Sequence, residues 1–318
     1  MTQRTGAHLA ASIRQRLLNK ARETDRPFNE MLQYFAIERF LYRLARSPHA
    51  GKFVLKGAVM LAAWQAPMSR PTMDIDLLGL TNNSIDAMVA VTQEICTQVV
   101  EPDGLHFEPE SVEGERIVED ADYAGVRVRF RGSLGTARIT MQLDIGFGDV
   151  VVPQPVTVEY PTILPLPAPR LRGYSRESAI AEKFEAMVKL GRLNSRLKDF
   201  FDVWLLSRQF DFEGRILATA IAQTFATRRT MVPAEPMALT DAFAADTDKQ
   251  TQWQGFIRRS RLQHAPDHLA DVVTPIAAFL GPIAKALASG KVFEHVWQAP
   301  GPWRRFARRD PHERKEAS

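Results

Sequence analysis

The stretch KGAVMLAAWQAPMSRPTMDIDLLG, Lys56 to Gly79, carries two aspartates one residue apart, Asp74 and Asp76, inside the apolar run Met73-Asp74-Ile75-Asp76-Leu77-Leu78. In a β-strand, residues i and i+2 project to the same face. The pattern therefore predicts a strand in which Asp74 and Asp76 point one way while Met73, Ile75 and Leu77 face a core. Two like charges on one sheet face repel, and burying them is costly. A cation between them removes the conflict, and oxygen-only ligands suit Mg²⁺ or Mn²⁺. The alternative is an exposed strand end whose aspartates are simply solvated.

A third carboxylate lies further along. ITMQLDIGFGD places Asp144 between Leu143 and Ile145 in a second alternating run. If the two strands are neighbours, Asp74, Asp76 and Asp144 converge. That arrangement serves two-metal phosphoryl or nucleotidyl transfer, in which ions about 3.5–4 Å apart clamp the attacking and leaving oxygens. Asp149, at the loop end, reads as a surface residue. Upstream, LKGAVML reads as a strand, a glycine turn and a helix start, which offers backbone N–H groups to a phosphate and makes Lys56 and Gly57 candidate binding residues. MSRPTMD adds Arg70, suited to neutralising phosphate charge, and Thr72, whose hydroxyl is two residues from Asp74 on its face.

Around this centre the periodicity predicts helices over 7–47, broken by Asp25-Arg26-Pro27. FVLKG is a short strand, AVMLAAW a helix closed by Pro67, and NNSIDAMVAVTQEICTQVV an amphipathic helix capped by Asn82 or Asn83. GVRVRFRGSLGTARITMQLDIGFGD predicts a β-hairpin around Gly132 and Gly135. The proline-rich run VVPQPVTVEYPTILPLPAPRL reads as an extended crossing between lobes. From Ser175 onward the pattern is helical, which divides the chain into 1–174, an α+β lobe with N-terminal helices, and 175–318, a mostly helical lobe with a basic tail. In that second lobe Lys183 sits in AIAEKFEAM among Ala181, Phe184 and Met187. Asp199 and Asp202 are three apart on one helix face in RLKDFFDVWLL, placed to orient Lys183 or Arg196, or to join a surface salt-bridge network. Glu182 and Glu185 read as solvated.

Composition narrows the classes. The chain has 318 residues, 45% hydrophobic and 25% charged, enough for one large domain or two smaller ones. A single cysteine, Cys96, precludes an internal disulfide and fits a reducing cytoplasm; its place in the apolar phase of a helix predicts a buried thiol. The N-terminal MTQRTGAHLAASIRQRLL has no apolar core of signal-peptide length. Leu269–Ala288, interrupted by Asp271, Pro275, Pro282 and Lys285, reads as two packed core helices and not as a membrane span. Net charge is +4, but TRR at 227–229, RRSR at 258–261 and the tail WRRFARRDPHERKE concentrate positive charge, which suits a polyanion such as RNA. The histidines lack metal-ligand spacing, and no Gly-x-Ser-x-Gly elbow is present.

Taken in order, KGAVML, RPTMDID, QLDIGFG, AEKFEAM and RLKDFFDVWLL, spanning Lys56 to Leu206, resemble the AbiEii/AbiGii-type nucleotidyltransferase toxins, a branch of the polymerase-β-like nucleotidyltransferase superfamily. The resemblance implies an α+β fold, a polymerase-β-like sheet lobe with a mostly helical C-terminal lobe. It implies Mg²⁺ or Mn²⁺ on Asp74, Asp76 and Asp144, and a catalytic set of these three with Lys183 and Asp199. Lys183 is the lysine that the family directs at nucleotide phosphates. Lys56, Gly57, Arg70, Thr72, Arg196, Lys198 and Asp202 are the implied substrate-binding residues. The implied reaction is transfer of a nucleoside monophosphate from an NTP to an acceptor, for some members a tRNA 3′ end, by a cytoplasmic toxin of a type IV toxin–antitoxin or phage-defence system. A separately encoded antitoxin, often with a winged-helix domain, is the implied partner. The chain departs from the family where the turn's second glycine is Ala58, and Val59 stands in place of a hydroxyl residue. Three other readings stay open: a phosphotransferase on the same scaffold, a D-x-D glycosyltransferase, and a catalytically degenerate RNA- or partner-binding protein.

Overall fold

The alternation through 125–147 comes from two strands that lay their apolar residues on one shared core. A computed structural model describes residues 3–66, 71–120, 123–262 and 265–305. The chain divides into two compact units, Met1–Ser175 and Arg176–Ser318.

The first unit runs α1 (Gln3–Glu23), α2 (Phe28–Arg46), β1 (Phe53–Lys56), α3 (Val59–Ala63), β2 (Ile75–Gly79), α4 (Ile85–Thr97), β3 (Leu105–Asp120), β4 (Tyr123–Leu134), β5 (Ala137–Phe147), β6 (Val156–Glu159) and β7 (Arg170–Gly173). All seven strands form one mixed sheet in the order β3-β4-β5-β2-β1-β7-β6. β2 lies at its centre, antiparallel to β1 and parallel to β5. β4 and β5 form the expected hairpin, closed by the two residues between Leu134 and Ala137.

One face of the sheet carries the main core. Ile75, Leu77, Val126, Val128, Phe130, Met141, Leu143 and Ile145 pack there against Phe35, Ile37 and Phe40 of α2. Phe40, Phe107 and Phe130 meet with ring centroids 5.0–5.7 Å apart, two of the pairs edge-to-face and one tilted, geometries that aromatic rings favour over a face-to-face sandwich. The buried Gln33 of α2 donates to the main-chain oxygens of Met73 and Thr140 at 3.1 and 3.2 Å, which ties the entry of β2 to β5. The opposite face is polar except where Val54 and Leu78 pack with Val151 and Tyr174.

Several expectations need correction. Met73 is 51% exposed and precedes β2, so only Ile75 and Leu77 face the core. The cap of α4 is Ser84, whose hydroxyl accepts from the Ala87 N–H at 3.2 Å; Asn82 instead accepts from the Ser84 N–H at 2.8 Å. The proline-rich run is no bare crossing, because β6 and β7 within it complete the sheet edge. The long strand β3 carries no clean alternation; its register against β4 shifts between Glu108 and Glu113, which breaks the period-2 signal.

The second unit contains α5 (Arg176–Leu190), α6 (Leu197–Gln209), β8 (Phe212–Glu213), α7 (Gly214–Thr227), α8 (Asp241–Ala244), α9 (Thr247–Ser260), α10 (Ala270–Ala288), β9 (His295–Trp297) and β10 (Trp303–Arg305). Its three short strands form a small sheet, ordered β10-β9-β8, so the unit is mostly helical with a β element the periodicity did not show. The stretch expected as two helices is the single helix Ala270–Ala288, with Pro275 and Pro282 inside it. Val272, Val273, Ile276, Phe279, Leu280, Ile283 and Ala284 form a continuous buried stripe past both prolines, and that packing outweighs the lost backbone bonds. This helix is long and apolar enough to cross a membrane by length and composition, yet its apolar stripe forms part of the unit's core.

Candidate active site

On the polar face of the sheet, four adjacent strands bring one charged residue each into a single row. Lys56 of β1 pairs in register with Asp76 of β2, Asp76 with Asp144 of β5, and Asp144 with Arg127 of β4. Register partners on neighbouring strands share a face, so the row reads cation, carboxylate, carboxylate, cation. Strands in a sheet lie about 4.8 Å apart. Two carboxylates at that separation repel strongly, and the flanking cations offset part of the repulsion.

Gly57 explains the close fit on one side. It adopts φ +71°, a left-handed conformation suited to glycine, and an added Cβ would overlap the Asp76 carboxylate. Lys56 is buried, with Nζ 2.8 Å from Oδ2 of Asp149 and 5.7 Å from the centre of the Tyr174 ring. Asp149 is therefore not a surface residue; its side chain is 5% exposed because the β5 exit turns back over Lys56. Ala58 and Val59 are buried, so neither side chain is available to hold a phosphate. α3 spans only five residues, and the N–H groups of Met60 and Leu61 are already bonded to the carbonyls of Gly57 and Ala58. The helix-terminus phosphate cradle expected from LKGAVML is thus a short one.

On the other side, Arg127 grips Asp144 with both arms, Nε to Oδ1 at 2.7 Å and Nη2 to Oδ2 at 2.8 Å. Gln142 Nε2 adds a donor to Oδ2 at 3.3 Å. Hydrogen bonding to Asp144, opposed by partial burial, raises the guanidinium pKa further, and the charges on Asp144 and Asp74 add to the effect. Asp74 occupies a bend just before β2 and is partly buried. The Thr72 hydroxyl donates to the main-chain oxygen of Asp74 at 3.2 Å, so it shapes the approach to the strand. Arg70 lies outside the described residues.

Asp74, Asp76 and Asp144 offer only carboxylate oxygens, a donor chemistry that suits a hard divalent cation. No group of three His, Cys, Asp or Glu residues stands in metal-holding geometry among the described residues. Both oxygens of Asp144 are engaged by Arg127.

A second charged cluster lies in the helical unit. Lys183 Nζ of α5 is 2.8 Å from Asp199 Oδ1 and 2.8 Å from Asp202 Oδ2 of α6. Arg196 Nε is 2.9 Å from Asp199 Oδ2. Burial alone would raise the Asp199 pKa, but Lys183 and Arg196 overcome it and hold the carboxyl at about 2. Lys198 is exposed on the same helix. Glu185 is not solvated, contrary to expectation: it is fully buried, held by Arg228 at 3.2 Å and Thr230 at 2.6 Å, while Glu182 is partly buried near the same arginine. Arg228 follows α7, whose packing on α5 was not readable from α5 alone.

Arg127 and Asp149 are the site residues that the reading of the motifs missed. Arg127 belongs to the alternating GVRVRFR run, and the hairpin turn implies its pairing with Asp144. Asp149 gives no local signal.

The family model described as "nucleotidyl transferase AbiEii toxin, Type IV TA system" matches residues 39–275. No curated protein matches the chain. Two solved Helicobacter pylori structures are similar. JHP933 has 16% identity over 79% of this chain and 89% of its own, with a TM-score of 0.43. A candidate nucleotidyltransferase has 17% identity over 79% of this chain and 92% of its own, with a TM-score of 0.41.

Proposed function

The chain belongs to the AbiEii nucleotidyltransferase toxin family of type IV toxin–antitoxin systems, and on that premise we propose that it transfers a nucleoside monophosphate from an NTP to the 3′ end of a tRNA. The observation that carries the catalytic assignment is the in-register pair Asp76 and Asp144 on one sheet face, with Asp74 immediately before β2.

Asp74 and Asp76 would hold Mg²⁺ or Mn²⁺, and Asp144 would join them. The bound ion supplies Lewis-acid stabilisation of charge on the phosphoryl oxygens. Asp76 keeps its carboxylate against the Gly57 backbone, which sets where its oxygens point. Lys56 holds Asp149 and lends positive charge to the same face. An oxygen of Asp144 accepts the proton of the attacking hydroxyl, and pyrophosphate leaves. Lys183, oriented by Asp199 and Asp202, neutralises triphosphate charge, with Arg196 and Lys198 assisting. Thr72 fixes the backbone at Asp74, and Arg70 is assigned to neutralising phosphate charge. In this reading residues 1–174 form the nucleotidyltransferase lobe and 175–318 the helical lobe. The basic clusters at 227–229 and 258–261 suit an RNA acceptor, and a tRNA acceptor fits action in the cytoplasm. The cognate antitoxin is the protein partner.

The test is incubation with total RNA and each α-labelled NTP in turn, with γ-labelled NTP in parallel. Label from the α position should enter tRNA and be lost in Asp74→Ala. Transfer from the γ position instead identifies a phosphotransferase, and α transfer by Asp74→Ala refutes the site.

A further inference from the structure

Arg127 is the one strong partner of Asp144 in the charged row, and its geometry is that of a competitor for a metal ion. Its guanidinium engages both carboxylate oxygens at 2.7 and 2.8 Å, and Gln142 takes another position on Oδ2. A carboxylate offers about four lone-pair sites. Three are therefore spoken for before any cation arrives. The pair is well shielded, with the Asp144 side chain 11% and the Arg127 side chain 29% exposed. A lysine could supply charge here, but only the planar fork of arginine covers both oxygens at once.

We propose that Arg127 is a built-in cation that holds Asp144 in place and lowers the affinity of the empty site for divalent ions, so that the ion enters with the nucleotide and displaces the guanidinium from the carboxylate. The proposal rests on the metal-dependent reading given above. This arrangement offsets the repulsion between the in-register carboxylates of Asp76 and Asp144, because a permanent positive charge sits at the outer side of Asp144. It makes Arg127 a positioning residue whose effect is opposite in sign to that of a ligand, since removing it strengthens metal binding.

The experiment measures Mn²⁺ binding without nucleotide, by calorimetry and by electron paramagnetic resonance, for the intact chain, Arg127→Gln, Arg127→Lys, Arg127→Gln/Asp144→Asn and Asp74→Ala. Charge-assisted bonds of this kind correspond to roughly a 10- to 100-fold change in affinity. Arg127→Gln should bind Mn²⁺ tighter by about that factor, Arg127→Lys should fall between it and the intact chain, and the double variant should lose the gain. The melting temperature of Arg127→Gln in chelator should fall and be restored by Mn²⁺, because the ion replaces the lost charge. A merely structural arginine would give a lower melting temperature without tighter binding. If the intact chain and both Arg127 variants bind Mn²⁺ alike while Asp74→Ala does not bind, the inference is overturned and the metal site stands. If no Arg127 variant binds Mn²⁺, inference and metal reading fall together. Should Arg127→Gln not fold, Arg127→Lys carries the same comparison.

Discussion

Replacing Gly57 by alanine tests whether the backbone of the turn sets the position of the Asp76 carboxylate. Two costs are separable. An L-residue at φ +71° costs about 1–2 kcal/mol relative to glycine. The added methyl also overlaps the Asp76 carboxylate, so the side chain or the turn must move. For a domain of this size each kcal/mol lowers the melting temperature by about 2–4 °C, which predicts a fall of at least roughly 2–8 °C from the backbone term. A displacement of the carboxylate by about 1 Å is enough to reduce catalysis about 100-fold. Gly191→Ala is the control, because Gly191 has φ +48° and nothing lies within 4 Å of an added Cβ. It shares the backbone cost without the overlap. Urea denaturation measures stability, and NMP transfer from α-labelled NTP measures activity. Equal stability losses in the two variants, with transfer by Gly57→Ala unchanged, would refute the close-approach argument.

Other outcomes follow from the charged clusters. Lys183→Met removes the lysine shared by the buried Asp199 and Asp202 while Arg196 still holds Asp199, so the cost should fall at the lower end of the roughly 3–5 kcal/mol that breaking a buried pair takes; denaturant titration reads this directly. The depressed Asp199 carboxyl works in the acid range. Its folded pKa of about 2 lies below the ordinary aspartate value of 3.8, so its stabilisation is present above pH 3.8 and is lost as pH falls toward 2. The difference corresponds to about 2 kcal/mol, and Asp199→Asn should flatten that part of the stability–pH curve. Burial pushes the Cys96 thiol up to about 12, so native protein at pH 8 should resist iodoacetamide while urea-unfolded protein reacts within minutes, a contrast mass spectrometry will show.

Local pattern carried much of this molecule. Alternation in GVRVRFR and ITMQLDIGF decided which side chains face the core and which face outward, because the period of a strand is a property of its own backbone. Helical spacing placed Lys183 on α5 and Asp199 and Asp202 on one face of α6. The D-x-D run, with the order of motifs from Lys56 to Leu206, was enough to indicate the family. Tertiary structure alone decided the row Lys56–Asp76–Asp144–Arg127, since it depends on β2 lying between β1 and β5 in one register. That register joins residues far apart in sequence and is tied through Gln33 of α2, so no window of sequence contains it. The fates of Asp149 and Glu185 were decided in the same way, by partners brought from distant segments: a carboxylate's own neighbours in sequence do not say whether a lysine or an arginine waits for it in the folded chain.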